Sequence, residues 1–226
     1  MAPAVHLSNA VVLAGRFPVL AGVDLELDAG QVLVVLGHNG AGKTSLLRLL
    51  AGLVPLTSGE GRILEHRLDD QARHVRRRVG MLGHDVGLYD DLTPHENLRF
   101  ALRAARVDPG AGPGALERCG ISGRVAMTPL GALSAGQRRR VGLALLCARR
   151  PELWLLDEPH ASLDTATRQL VGELVEEAAL GGATVVATSH EPEVAVPMAD
   201  VVATMAGGIV IETTSGGRPR GGKDVA

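Results

Sequence analysis

Apolar positions along the chain follow two periods, and their order predicts an architecture. Residues 5–36 read as strands: VDLEL (23–27) alternates, Ala29 and Gly30 make a turn, and VLVVL (32–36) is the short continuous run of a buried strand. After a glycine-rich loop, TSLLRLLAGL (44–53) shifts to the spacing of a helix packed on a sheet. Between about residues 85 and 148 the period is helical. HENLRFALRAARV (95–107) predicts a helix, DPGAGPG (108–114) a loose loop, and a further amphipathic helix starts at Ala135. The last third alternates again: LWLLD (153–157) is a strand, 165–180 a helix, TVVATS (184–189) a strand, and DVVATM and IVIE two more. Strands interleaved with helices predict an α/β domain on a mainly parallel sheet, with the helical middle as an insertion. The tail SGGRPRGGKDVA (215–226) has no pattern and is expected to be disordered.

Composition changes this picture mainly by exclusion. The 226 residues suffice for one well-buried α/β domain with a small subdomain. A formal net charge of −2 and an aromatic content of 2% give neither the basic footprint nor the stacking platform of a nucleic-acid binder. Residues 1–15 lack a basic start followed by an apolar core, and no apolar run approaches the ~18–20 residues that span a bilayer. A cytosolic chain is expected; if it serves a membrane, another chain crosses it. Cys119 and Cys147 have no metal-like spacing and are expected to be buried, reduced thiols.

Chemistry enters at GHNGAGKT (37–44), which fits the strand–GxxxxGK[ST]–helix pattern of a phosphate loop. Glycines let successive N–H groups face inward around a polyphosphate, and the next helix adds its positive end. The candidate nucleotide contacts are Gly37, His38, Asn39, Gly40, Ala41, Gly42, Lys43, Thr44 and Ser45. Lys43 suits the β- and γ-phosphates, and the Thr44 hydroxyl suits Mg²⁺. A glycine-rich turn preceding Lys-Thr by chance is the competing reading, and the flanking strand and helix weigh against it. LWLLDEP (153–159) places two acids at a strand end. Alone, such a pair is more often a helix-start signal. Beside a phosphate loop, Asp157 becomes the Mg²⁺ ligand and Glu158 the carboxylate that polarises water.

Further motifs narrow the class. Leu133-Ser134-Ala135-Gly136-Gln137 resembles the LSGGQ signature of ATP-binding cassette proteins, and Asp164 in ASLD (161–164) and His190 after VVATS resemble that family's D-loop and switch histidine. The motifs follow the family's order over nearly the whole chain. The resemblance implies an ATP-binding domain over 1–214, with an antiparallel N-terminal part and a helical subdomain at about 86–148. It further implies ATP and Mg²⁺ as ligands, a homodimer or heterodimer of ATPase subunits, and integral membrane permease subunits as partners. The chain would then sit peripherally on the cytoplasmic side of the cell membrane. Ser134, Gly136, Gln137 and Asp164 would complete the opposite subunit's site, and Lys43, Glu158 and His190 would serve catalysis.

Two positions depart from the family pattern. Asp85 stands where a glutamine is usual, with His84 beside it, and becomes a third candidate metal ligand beside Thr44 and Asp157. The residue that stacks on adenine would fall near Ala14, and the nearest aromatic is Phe17. The finer resemblance is to ATP-binding subunits of the haem exporter of cytochrome c maturation, carried by LGHDVGLYDDLTPHENLRF (82–100), LSAGQRRRVGLA (133–144) and LWLLDEP. Short exporters of drugs or lipids share most of these features, and a non-hydrolysing nucleotide-binding regulatory subunit is the alternative of another class. Leu88, Tyr89, Leu92 and the HENL helix are candidates for contact with a membrane subunit, or for closing the helical core. The basic clusters at 76–78 and 138–140 are expected to be solvated faces.

Overall fold

Among the described residues, five of ten strands run parallel, as the interleaved pattern predicts. In this computed structural model, which describes residues 2–83, 86–161 and 163–218, the strands are β1 Val5–Ala14, β2 Phe17–Leu27, β3 Val32–Leu36, β4 Ser58–Ile63, β5 His66–Arg67, β6 Val79–Leu82, β7 Leu153–Leu156, β8 Thr184–Ser189, β9 Val201–Ala206 and β10 Ile209–Ser215. The larger sheet has the order β10-β9-β3-β8-β7-β6, parallel except for the antiparallel edge β10. The smaller is antiparallel, β2-β1-β4-β5.

The continuous apolar strands are buried on both faces. In β3, Leu33 and Val35 point into one core with the antiparallel sheet and helix α1 (Lys43–Leu50), while Val32 and Val34 point into the second. In β7, Leu153 and Leu155 face the first core, Trp154 and Leu156 the second. A strand covered on both sides loses the alternation of a half-exposed one, hence runs such as VLVVL and LWLL.

Helix α2 spans Ala72–Arg78; between β6 and β7 come α3 Pro94–Ala104, α4 Ala111–Arg118, the short α5 Gly123–Ala126 and α6 Ala135–Arg149; α7 Thr165–Leu180 and the short α8 Pro192–Ala195 follow. Thr93 and Glu96 form a reciprocal capping box that starts α3. The loop expected at 108–114 is a loop only to Gly110. Asp108 turns the chain by accepting from Gly110 N at 2.9 Å, and Pro113 lies in the first turn of α4, where a missing N–H is harmless. Residues 215–218, expected to be free of the fold, are held: Ser215 pairs with Val201, and Arg218 Nη1 donates to Asp200 Oδ2 at 2.8 Å. Residues 219–226 lie outside the described residues.

Packing of α4 on α6 brings together two cysteines distant in sequence. Both are free thiols, Cys119 buried and Cys147 half-buried. Their mutual hydrogen bond, with burial adding to it, pushes the Cys119 thiol up, and the same bond draws Cys147 down.

The basic clusters are not simply solvated. Arg76 Nη1 donates to Gly52 O at 2.7 Å, Arg78 binds Leu64 O and Glu152, and Arg139 is half-buried on two main-chain carbonyls. Each closes a loop by satisfying a carbonyl that has no strand or helix partner.

Candidate active site

The site forms where β3, β7 and β8 end and α1 begins. Gly40 (φ +82°) and Gly42 (φ +105°) adopt left-handed conformations, and a Cβ on Gly42 would sit 2.9 Å from Val19 O, so the loop needs glycine there. Ala41 N donates to His38 O at 3.2 Å, and the first carbonyl bond of α1 runs from Leu46 N to Gly42 O at 2.9 Å. The amides of Lys43, Thr44 and Ser45 have no recorded acceptor, as expected of a helix's first turn. They open on a cleft of about 630 Å³, bounded by residues 38–45, Pro18, Val19, Asp157, Glu158 and the turn at Gly207 and Gly208.

Side chains from the start of α1 and the ends of β7 and β8 meet on the floor of this cleft. Lys43 is 6% exposed; its Nζ donates to Gly37 O at 2.6 Å and lies 3.2 Å from Glu158 Oε1. Thr44 Oγ1 donates to Asp157 Oδ2 and Thr188 Oγ1 to Asp157 Oδ1, both at 2.8 Å. The Thr188 hydroxyl in turn accepts from Glu158 N at 3.0 Å. Asp157 is thus fixed at both oxygens, and one of its partners is the hydroxyl expected to share a metal with it. Glu158 turns away from the strand in a left-handed conformation, φ +47°, uncommon for a residue with a Cβ. Its Oε2 accepts from His190 Nδ1 at 2.8 Å.

The structure therefore gathers Gly37, His38, Asn39, Gly40, Ala41, Gly42, Lys43, Thr44, Ser45, Asp157, Glu158 and His190 around one locus. Ser134, Gly136, Gln137 and Asp164 do not line the cleft. Ser134 caps α6, accepting from Gln137 N at 3.2 Å while its own N–H donates to Gln137 Oε1 at 2.9 Å, and Gly136 faces open space. Asp164 caps α7, and the Thr167 N–H it accepts at 2.7 Å holds its carboxyl below the usual range. Asp85, the third candidate metal ligand, lies outside the described residues.

Three contributors were not legible as such in the sequence. Thr188 looked like one more strand residue. Arg168 joins the loop before α7 to the segment after His190, with Nε on Leu163 O at 3.2 Å and Nη1 on Glu191 Oε2 at 3.0 Å. His160 is 4% exposed, and its Nδ1 is buried without a partner.

The sequence profile of the ABC transporter family matches residues 20–161, across the phosphate loop, the signature and the acidic pair. This chain belongs to the ABC transporter family. Among curated ABC relatives, the cytochrome c biogenesis ATP-binding export protein CcmA of Aromatoleum aromaticum is 40% identical over 199 residues, covering 86% of this chain and 92% of its own. The protein of the same name from Mesorhizobium japonicum is 42% identical over 179 residues, covering 79% and 87%. Among solved structures, the dimeric cassette MJ0796 bound to ADP and Pi superposes with a TM-score of 0.84 at 26% identity, over 96% of this chain and all of that one.

The residues present fit the ligands an ABC cassette takes. Three unpaired amides, a buried ammonium and left-handed glycines make a polyphosphate cradle. Among the described residues no cluster of three or more His, Cys, Asp or Glu could by itself hold a metal. A hydroxyl and one fixed carboxylate suit Mg²⁺, which takes the rest of its shell from phosphate oxygens and water.

Proposed function

We propose that this chain is the ATP-hydrolysing subunit of an ABC exporter serving cytochrome c maturation, in haem export or release of a haem chaperone. Copies of it, or it and a related subunit, close around two ATP molecules to drive a membrane partner. The observation that carries the reading is the joining of Lys43, Glu158 and His190 next to the Thr44–Asp157 pair. The relatives' names support the process, export in cytochrome c biogenesis.

The mechanism follows from the competition for Lys43. Its ammonium sits between Gly37 O and the Glu158 carboxylate. The β- and γ-phosphates of ATP carry more charge than one carboxylate and draw the ammonium away. Glu158, still held by His190, is then free to accept a proton from the water that attacks the γ-phosphorus. The bond from γ-phosphorus to the bridging oxygen breaks, and ADP leaves with that electron pair. Bound Mg²⁺ supplies charge neutralisation between the phosphates; Thr44 and Asp157 are the residues that would hold it. The N-terminus of α6, with Ser134 and Gly136 unshielded, caps the γ-phosphate of the opposite copy, and Asp164 borders that junction. Phe17, 77% exposed at the start of β2 and next to Pro18 on the cleft wall, is the aromatic available to the adenine.

No helix among the described residues is long and apolar enough to cross a membrane. The partner surface is a groove of about 620 Å³ where Leu88, Tyr89, Phe100 and Leu145 meet, rimmed by Arg76, Arg77, Arg106 and Arg149. Asn97 is buried and pins its lip, donating to Tyr89 O at 2.9 Å and Leu92 O at 3.1 Å. A short amphipathic segment of a permease on the cytoplasmic face fits this mix of apolar floor and basic rim.

Purification of the tagged chain from native membranes in mild detergent, with mass spectrometry and an absorption spectrum, tests the reading. Multi-span subunits with bound haem are expected. A different permease without haem overturns the cargo, and soluble partners alone overturn the transporter role.

A further inference from the structure

Arg139 lies in the second turn of α6, on the helix whose first residues carry the signature. Its side chain is half-buried, and burial pulls its pKa below the ordinary arginine value against the opposing pull of Asp157 and Glu158. It forms no ion pair among the described residues. Its two hydrogen bonds go to main-chain carbonyls: Nη1 to Gly83 O at 2.7 Å and Nη2 to Asp157 O at 2.6 Å. These are the first carbonyls beyond β6 and β7, which pair in parallel with Leu82 opposite Leu156. The planar fork thus spans two adjacent strand ends, a geometry that a lysine ammonium cannot reproduce.

A half-buried cation with no carboxylate partner among the described residues is a costly way to satisfy two carbonyls. What it gains is a link between two places with different roles. One end of the link is α6, which Ser134 caps through its reciprocal bonds with Gln137. The other is Asp157, whose carboxylate oxygens are fixed by Thr44 and Thr188 and whose neighbour is Glu158.

We infer that Arg139 is a positioning residue that couples the signature end of α6 to the Asp157–Glu158 strand end of the same chain, so that the two ATP sites of a closed pair sense each other. The inference rests on the paired-cassette reading above, in which the signature of one copy serves the ATP of the other. Movement of α6 on meeting the partner's γ-phosphate is transmitted through the Arg139 fork to the carboxylates of its own site. By linkage the coupling is reciprocal: occupancy of a copy's own site biases its signature toward the partner. A residue that only satisfied carbonyls would support stability without affecting cooperativity.

The test compares native chain, R139Q and R139K in three measurements: ATPase rate against ATP concentration, binding of a fluorescent ATP analogue at a dilution where chains are monomeric, and thermal melting. For R139Q we expect monomer affinity within about threefold of native, a Hill coefficient falling from about two toward one, and kcat reduced at least tenfold. R139K keeps the charge but loses the fork, and should lose cooperativity with a smaller fall in kcat. Native cooperativity and turnover in R139Q would overturn the inference. So would a loss of monomer affinity as deep as that of K43A, which would place Arg139 within its own site only. If R139Q does not fold, R139K decides by the same readouts. A native chain that hydrolyses ATP without cooperativity overturns the paired-site reading itself, and this inference with it.

Discussion

Glu158 occupies the most constrained position in the site. Its left-handed backbone costs of order 1–3 kcal/mol, held in place by the Thr188 hydroxyl on its N–H, the ion pair to Lys43 and the hydrogen bond from His190. That strain aims a carboxylate into the cleft instead of along β7. E158Q keeps the shape and one of the two acceptor oxygens but cannot take a proton; its turnover should fall by roughly 10²–10⁴-fold with ATP binding retained. His160 makes a different prediction. Burial, reinforced by Arg168 and Arg139 and opposed by Glu191, holds its imidazole below the ordinary value of 6.5. A base whose folded pKa is depressed contributes stability that is complete above its unfolded pKa and lost as pH falls through the folded one. Melting temperature should therefore drop as pH is lowered from about 7 toward 5, and H160Q should flatten that slope. A slope identical in the two proteins would show that His160 is not its source. The motif residues were legible because phosphate chemistry fixes residue types at fixed spacing. His160, Thr188 and Arg139 were not, because their roles depend on which strand ends lie side by side.

Elements were legible where burial is two-sided or periodicity is long. The strands at 32–36, 153–157 and 184–189 and the helices at 95–107, from 135, and 165–180 match β3, β7, β8, α3, α6 and α7 to within a few residues. Strand β4 went unread because SGEGRI is mostly exposed and glycine-rich; Gly59 is required by contact, since a Cβ there would lie 2.1 Å from Asn9 O. Helix α4 was hidden by Pro and Gly, residues that break a helix interior but are tolerated in its first turn. Packing of α6 on the sheet turns on Gly142. A Cβ there would meet Val86 Cγ1 at 2.3 Å and Leu82 Cδ1 at 2.6 Å. Alanine would gain about 0.5–1 kcal/mol of helix propensity against about 1–3 kcal/mol of overpacking. Chemical denaturation of G142A should show a net loss of about 1–2 kcal/mol; a stabilised variant would mean that the helix simply shifts.

At the scale of the molecule, one face carries nucleotide chemistry and another an aromatic groove. Tyr89 and Phe100, each about half exposed, meet edge-on with centroids 5.2 Å apart. Two exposed aromatics in contact form a surface anchor of the kind that dominates interfaces. The double variant Y89A/F100A should hydrolyse ATP at the native rate in isolation yet co-purify with membrane subunits at least tenfold less well. Equal recovery would remove the groove as the docking surface. The parallel part and the helical insertion could be read from the order of periodicities, whereas the antiparallel N-terminal part was implied only by the family resemblance. No periodicity or spacing shows that the signature stands outside its own cleft; only the family resemblance implied it. That separation, visible in three dimensions, is why the site is expected to be complete only in a pair.

Sedimentation velocity of E158Q with and without Mg-ATP tests that claim most directly. The account predicts monomers without nucleotide and a stable dimer with it, abolished by adding K43A to the same chain. A species that stays monomeric at saturating ATP, or a dimer indifferent to nucleotide, would contradict it.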